Sequence, residues 1–164
     1  MRLTSPAVIL ALVLLGAPLA LGQPAGATAI LGAPTVVPIQ VVGHLTLVHA
    51  TVNGAVRAML IVDAGASTTF ITPPLLMRLT QPIPLDARRR EVSVVGGQKL
   101  DVPLVTIGVV QVGDARAEGL EVGVYDAFPE APEIEGVLGA DFLHRFRVTL
   151  DKAARRMTLA PLSR

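Results

Sequence analysis

Asp63-Ala64-Gly65-Ala66-Ser67 sets a carboxylate, a glycine and a hydroxyl within five residues, directly after the apolar run Met59-Leu60-Ile61-Val62. Asp63 is the first acid of the chain, and only Arg2 and Arg57 carry charge before it. An acid at the end of a buried strand must be paired, hydrogen-bonded or chemically used, because leaving it desolvated costs on the order of several kcal/mol. The strand holds the carboxylate in a rigid, partly desolvated place. Gly65 permits a tight turn whose backbone N–H groups can bond the carboxylate, Ala64 and Ala66 are small enough for close approach, and Ser67 can donate a further hydrogen bond. This is the equipment of a loop that activates water. An aspartate before a glycine more often caps its own turn, and the preceding apolar strand and Ser67 weigh against that plainer role here.

Other chemistries lack their residues. With no cysteine there is no disulfide, thiolate zinc site or cysteine nucleophile. His44 and His49 fall on opposite faces of a strand and His144 lies on another element, so no metal-ligand spacing exists and neither metal nor cofactor is expected. Ser67 lacks the second glycine of a nucleophile elbow. Arg88-Arg89-Arg90 reads first as a solvated strand entrance, contact with an acidic substrate or a lipid head group being the minor reading.

The elements that must position Asp63 follow from a Val-, Leu-, Ala- and Ile-rich chain with 3% aromatics. Short Val-rich runs between Gly and Pro favour strands. The predicted strands are 36–42, 45–52 and 55–62, with Asn53-Gly54 as a hairpin signal that delivers Asp63 to a strand end. A β-rich piece at 68–72 and a short helix at 75–79 come next. Hairpins then turn at Gly96-Gly97 (88–95 with 98–108), at Gly113-Asp114 (109–112 with 115–125), and between 146–151 and 156–159. A second short helix is expected at 140–145. The sum is a mostly β fold, a closed or partly closed barrel with two short helices.

Residues 1–22 place Arg2 before an apolar stretch, Pro6–Leu21, that ends in small residues, the order of an export signal. A membrane anchor over residues 6–21 is the alternative, and Gly16 and Pro18 interrupt a run already short for a bilayer. Residues 23–34 read as a Pro/Gly/Ala linker and 35–164 as one domain, so the expected location is periplasmic or secreted. Removing the segment takes Arg2 with it and leaves 13 basic residues against 13 acidic ones. A neutral domain argues against a nucleic-acid or anionic-membrane partner, with membrane contact only through an uncleaved N-terminus.

The Asp63–Ser67 stretch resembles the Asp-Thr/Ser-Gly-Ala/Ser-Ser loop of the bacterial retropepsin-like aspartic proteases. Two further segments share the likeness, which spans roughly Pro38 to Pro161. Val137-Leu138-Gly139, continuing into Ala140-Asp141-Phe142-Leu143, is similar to the strand and helix behind the catalytic loop. Val95-Gly96-Gly97-Gln98 lies where the family carries its flap. The resemblance implies a retropepsin-like barrel and an aspartic endopeptidase acting on peptide or protein. Asp63 would be the catalytic acid, Ala64, Gly65, Ala66 and Ser67 the shaping loop, and Val137, Leu138 and Gly139 the supporting core. That chemistry uses two carboxylates sharing one proton about a water. One Asp-x-Gly loop per chain therefore implies a homodimer. Ala64 departs from the usual Thr or Ser, whose hydroxyl bonds to the partner loop, and the departure favours an alternative: a catalytically degenerate barrel that binds peptide or protein.

Overall fold

The computed structural model describes residues 33–93 and 99–162. In chain order the elements are β1 (Thr35–Val42), β2 (Leu45–Val52), β3 (Val56–Val62), β4 (Phe70–Ile71), α1 (Pro73–Arg78), β5 (Arg89–Ser93), β6 (Lys99–Val112), β7 (Ala115–Val124), β8 (Gly136–Leu138), α2 (Ala140–Leu143), β9 (Phe146–Asp151) and β10 (Arg156–Pro161). The fold is mostly β with two short helices, as the strand-rich sequence predicts.

Hydrogen bonding runs β5-β6-β7-β4-β8-β3-β2-β1-β10-β9, and a further pairing of β6 with β2 closes six of these strands into a ring. Local turns build most of it. Asn53 and Gly54 both adopt positive φ (49° and 70°), and the Ala55 N–H returns to the Val52 carbonyl at 3.2 Å. That is the turn geometry an Asn-Gly pair favours. The same asparagine also closes the ring: its N–H donates to the Val109 carbonyl (2.8 Å) and its Oδ1 accepts from the Val109 N–H (3.0 Å).

Three expected boundaries move. The sequence divides 98–112 at Gly108, whereas β6 runs unbroken from Lys99 to Val112, because β7 and the Asn53 corner pair along its length. The first helix begins at Pro73 rather than Leu75: the Thr72 hydroxyl caps it by accepting from the Leu75 N–H (3.4 Å), and prolines suit a first turn whose N–H groups have no helical partner. The second ends at Leu143, two residues short of Arg145. The export segment, most of the linker and the turn at Val95–Gln98 lie outside the described residues.

Alternating strand residues fill the ring. Leu60, Ile71, Leu75, Ile107, Leu138, Phe142, Met157 and Leu159 are almost wholly buried in one cluster. Each such side chain contributes roughly 1.5–3 kcal/mol on leaving water. A second cluster of Leu47, Ile61, Ile134 and Val137 lies apart from the first, with Phe128 and Ala131 of the 126–135 loop packed against it. All three residues of β8 are buried, Val137 in the second cluster and Leu138 in the first. An apolar strand buried on both faces, with no polar alternation, is what a central position requires.

Candidate active site

β3 ends at Val62, and β8 runs parallel to it in the register Leu60 with Gly136 and Val62 with Leu138. The next N–H in line, that of Asp63, continues this ladder by donating to the Leu138 carbonyl at 3.1 Å. The chain then turns: the Ala66 N–H donates to the Asp63 carbonyl (3.3 Å) and the Gly65 N–H to Asp63 Oδ1 (2.8 Å). Asp63, Ala64, Gly65 and Ser67 are exposed, and Ala66 is half-buried against the second apolar cluster. The orienting bond to the carboxylate comes from Gly65. Among the described residues none comes from Ser67.

Behind the loop, β8 and α2 hold it from one side. Gly139 is pressed so close that a Cβ there would stand 2.6 Å from the Thr68 carbonyl carbon and 2.8 Å from the Ala66 oxygen. The Ala140 N–H donates to that Ala66 oxygen at 2.8 Å. Val137, Leu138 and Gly139 thus form the ladder partner, the core wall and the contact point of the Asp63 loop.

Asp141, which the sequence pattern assigns only to a helix, locks this contact. Its Oδ2 accepts from the Thr69 N–H (2.9 Å), and its Oδ1 accepts from the Thr69 hydroxyl (2.7 Å) and the Phe142 N–H (2.9 Å). The Thr69 oxygen in turn accepts from the Gly139 N–H at 3.0 Å. Thr69 is wholly buried, so these bonds are made away from competing water. Glu135 acts similarly on the flank, accepting from the Met59 N–H (3.2 Å) and pairing with Arg78 (2.6 Å), which joins α1 to β3. These partners are 72 and 76 residues apart in sequence, beyond the reach of any local motif.

The arginine run separates by partner. Arg88 pairs with Glu121, Arg89 reaches Asp101 at 2.5 Å, and Arg90 donates to the Thr68 hydroxyl at 2.5 Å. Elsewhere, burial first and the Arg57 guanidinium second hold the His49 imidazole below its ordinary pKa of 6.5, against smaller opposing effects of Ala58 and Glu135. Its Nδ1 is buried with no hydrogen-bond partner among the described residues. No group of three or more potential metal ligands occurs among the described residues.

Chemically, Asp141 has both oxygens committed, whereas Asp63 has one oxygen held and the other with no hydrogen-bond partner among the described residues. A single exposed carboxylate can take a proton from water or give one to a carbonyl. Doing both in one step needs a second group.

The closed ring, the acid-tipped loop and the strand and helix packed behind it define a retropepsin-like barrel. The chain belongs to the aspartyl protease family, whose family model matches residues 48–142 and so takes in the Asp63 loop, β8 and most of α2. Among solved structures it is similar to a retropepsin-like aspartic protease from Rickettsia conorii, with a TM-score of 0.59 at 19% identity, over 79% of this chain and 94% of that one. At that identity the likeness carries the fold alone. No curated protein matches the sequence.

Proposed function

We propose that the chain is an aspartic endopeptidase in which Asp63 from two copies forms one active site. One carboxylate takes a proton from the attacking water while the other protonates the peptide carbonyl, and the pair shares a single proton between turnovers. The observation that carries this reading is the exposed Asp63 carboxylate, anchored by Gly65 and by the Leu138 ladder, with no second free acid in a like loop among the described residues. The substrate is an extended peptide, held largely by its backbone and covered by the hairpin of β5 and β6. Export through residues 1–22 belongs to the same reading, supported by the order of Arg2, the apolar stretch and the small residues that close it.

The test is peptidase assay of the purified protein from acid to neutral pH beside Asp63→Asn, with sedimentation of both. Cleavage abolished by the substitution, and a rate per chain that rises with self-association, is the expected result. Equal cleavage by both forms, or full activity from a strict monomer, overturns it. A second reading, a barrel that binds peptide without cleaving it, is favoured by Ala64, whose exposed methyl cannot make the cross-loop bonds a Thr hydroxyl would. Ala64→Thr adds such a bond from each copy and should tighten self-association by about tenfold. Peptide binding with no cleavage in either background would establish the second reading.

A further inference from the structure

β5 and β6 pair in the register Arg90 with Val102 and Val92 with Leu100, so these four side chains share one face of the hairpin. Arg89, Glu91, Lys99 and Asp101 occupy the other face. There each charge has its opposite: Arg89 with Asp101 at 2.5 Å and Lys99 with Glu91 at 2.8 Å. On the first face Val102 is buried, and Val92 and Leu100 are half-buried. Arg90 is the exception among them, a guanidinium between apolar neighbours with no carboxylate partner among the described residues.

What holds Arg90 is the Thr68 hydroxyl, which accepts from Nη1 at 2.5 Å. Thr68 is itself immobilised, buried and pressed against Gly139 in the segment that follows Asp63. The guanidinium therefore sits where the hairpin meets the Asp63 loop. One of its donors is spent on a neutral oxygen, its charge is unneutralised, and the planar fork suits a carboxylate. A hydroxyl anchor fixes such a fork in place without satisfying it.

We propose that Arg90 selects a carboxylate on the peptide that lies between the Asp63 loop and the β5–β6 hairpin, either an Asp or Glu side chain or the peptide's own C-terminus. The apolar Val92 and Leu100 on the same face accommodate the adjoining aliphatic part of the ligand. This rests on the peptidase reading of the Asp63 loop for its location but not for its test, which measures binding apart from cleavage.

The full chain carrying Asp63→Asn is titrated against fluorescein-labelled octapeptides that differ only by Glu or Gln at each position in turn, each with an amidated or a free C-terminus. Anisotropy should show one position, or the free C-terminus, at which the carboxylate form binds about tenfold more tightly than its neutral counterpart. Arg90→Gln, which removes the charged fork, should abolish that ratio while neutral peptides still bind. Arg90→Lys should retain part of it. A preference confined to amidated Glu peptides identifies a side chain, and one confined to free C-termini identifies the terminus. Absence of peptide binding, or a ratio unchanged in Arg90→Gln, overturns the proposal and leaves Arg90 a clamp between hairpin and loop. Failure of the parent chain to cleave any peptide, with the Arg90-dependent ratio intact, removes the peptidase reading alone.

Discussion

Asp63 and Asp141 are both acids of the same site, and substitution should separate what they do. Asp141→Ala removes the acceptor of three hydrogen bonds. The Phe142 N–H keeps a second partner in the Gly139 carbonyl at 3.2 Å, so its loss is partial. The Thr69 N–H has no such substitute among the described residues and belongs to a residue with no exposed surface. The Thr69 hydroxyl must then find another acceptor while still receiving the Gly139 N–H. Leaving a buried donor unpaired costs roughly 1–3 kcal/mol. One full loss at Thr69 N–H and partial losses at the other two give ~3 kcal/mol. For a domain of this size that lowers Tm by ~12 °C, at ~4 °C per kcal/mol. Asp63→Asn removes nothing comparable, since its one side-chain bond is local and exposed, and its stability should stay within about 0.5 kcal/mol of the parent. Thermal and urea unfolding at one fixed protein concentration measures both, the concentration being held because self-association alters apparent stability. An Asp141→Ala chain as stable as the parent, or an Asp63→Asn chain destabilised as much as Asp141→Ala, would refute the division into a locking acid and a free one.

Two further outcomes follow from the packing and the charges. Gly136→Ala places a Cβ 2.1 Å from the Phe70 carbonyl oxygen, where backbone on both sides must move, and should destabilise the fold by at least ~3 kcal/mol, read as lost soluble yield or a lower melting point. His49 is held below its ordinary pKa, so the folded chain binds fewer protons there than the unfolded one. Its contribution is intact above pH 6.5 and lost as pH falls through the folded value. His49→Gln should therefore show a shallower decline in urea midpoint between about pH 7 and pH 5 than the parent, and identical slopes would contradict this.

The parts of this fold written in local residues are those that a reading of the sequence recovers. Asn53-Gly54 and Gly113-Asp114 set their turns by the conformations those residues favour, and the Asp63 loop stands out because its acid follows an apolar strand. What escapes such a reading is pairing across the chain. Gly108 looks like a strand break, yet it lies inside β6. A Cβ there would come within 3.1 Å of Asn53 Oδ1, the atom that accepts from Val109 as the ring closes. Asp141 looks like any acid in a first helical turn, because its partner Thr69 is brought near only by the fold. Arg90 cannot be told from Arg89 until the hairpin register puts the two on opposite faces.

The order of synthesis gives β8 a significance beyond packing. β3 and the Asp63 loop are made before it, and the strand between β3 and β4 is the last of the ring to leave the ribosome. Until Gly136–Leu138 arrives, the outer edges of β3 and β4 have no partner, the Asp63 N–H has no carbonyl to meet, and Gly139 and Asp141 are not there to grip Thr68 and Thr69. A nascent chain therefore carries the acid without the frame that holds it. The same three residues that complete the barrel also delay the framing of Asp63 until the other strands of the ring have been made.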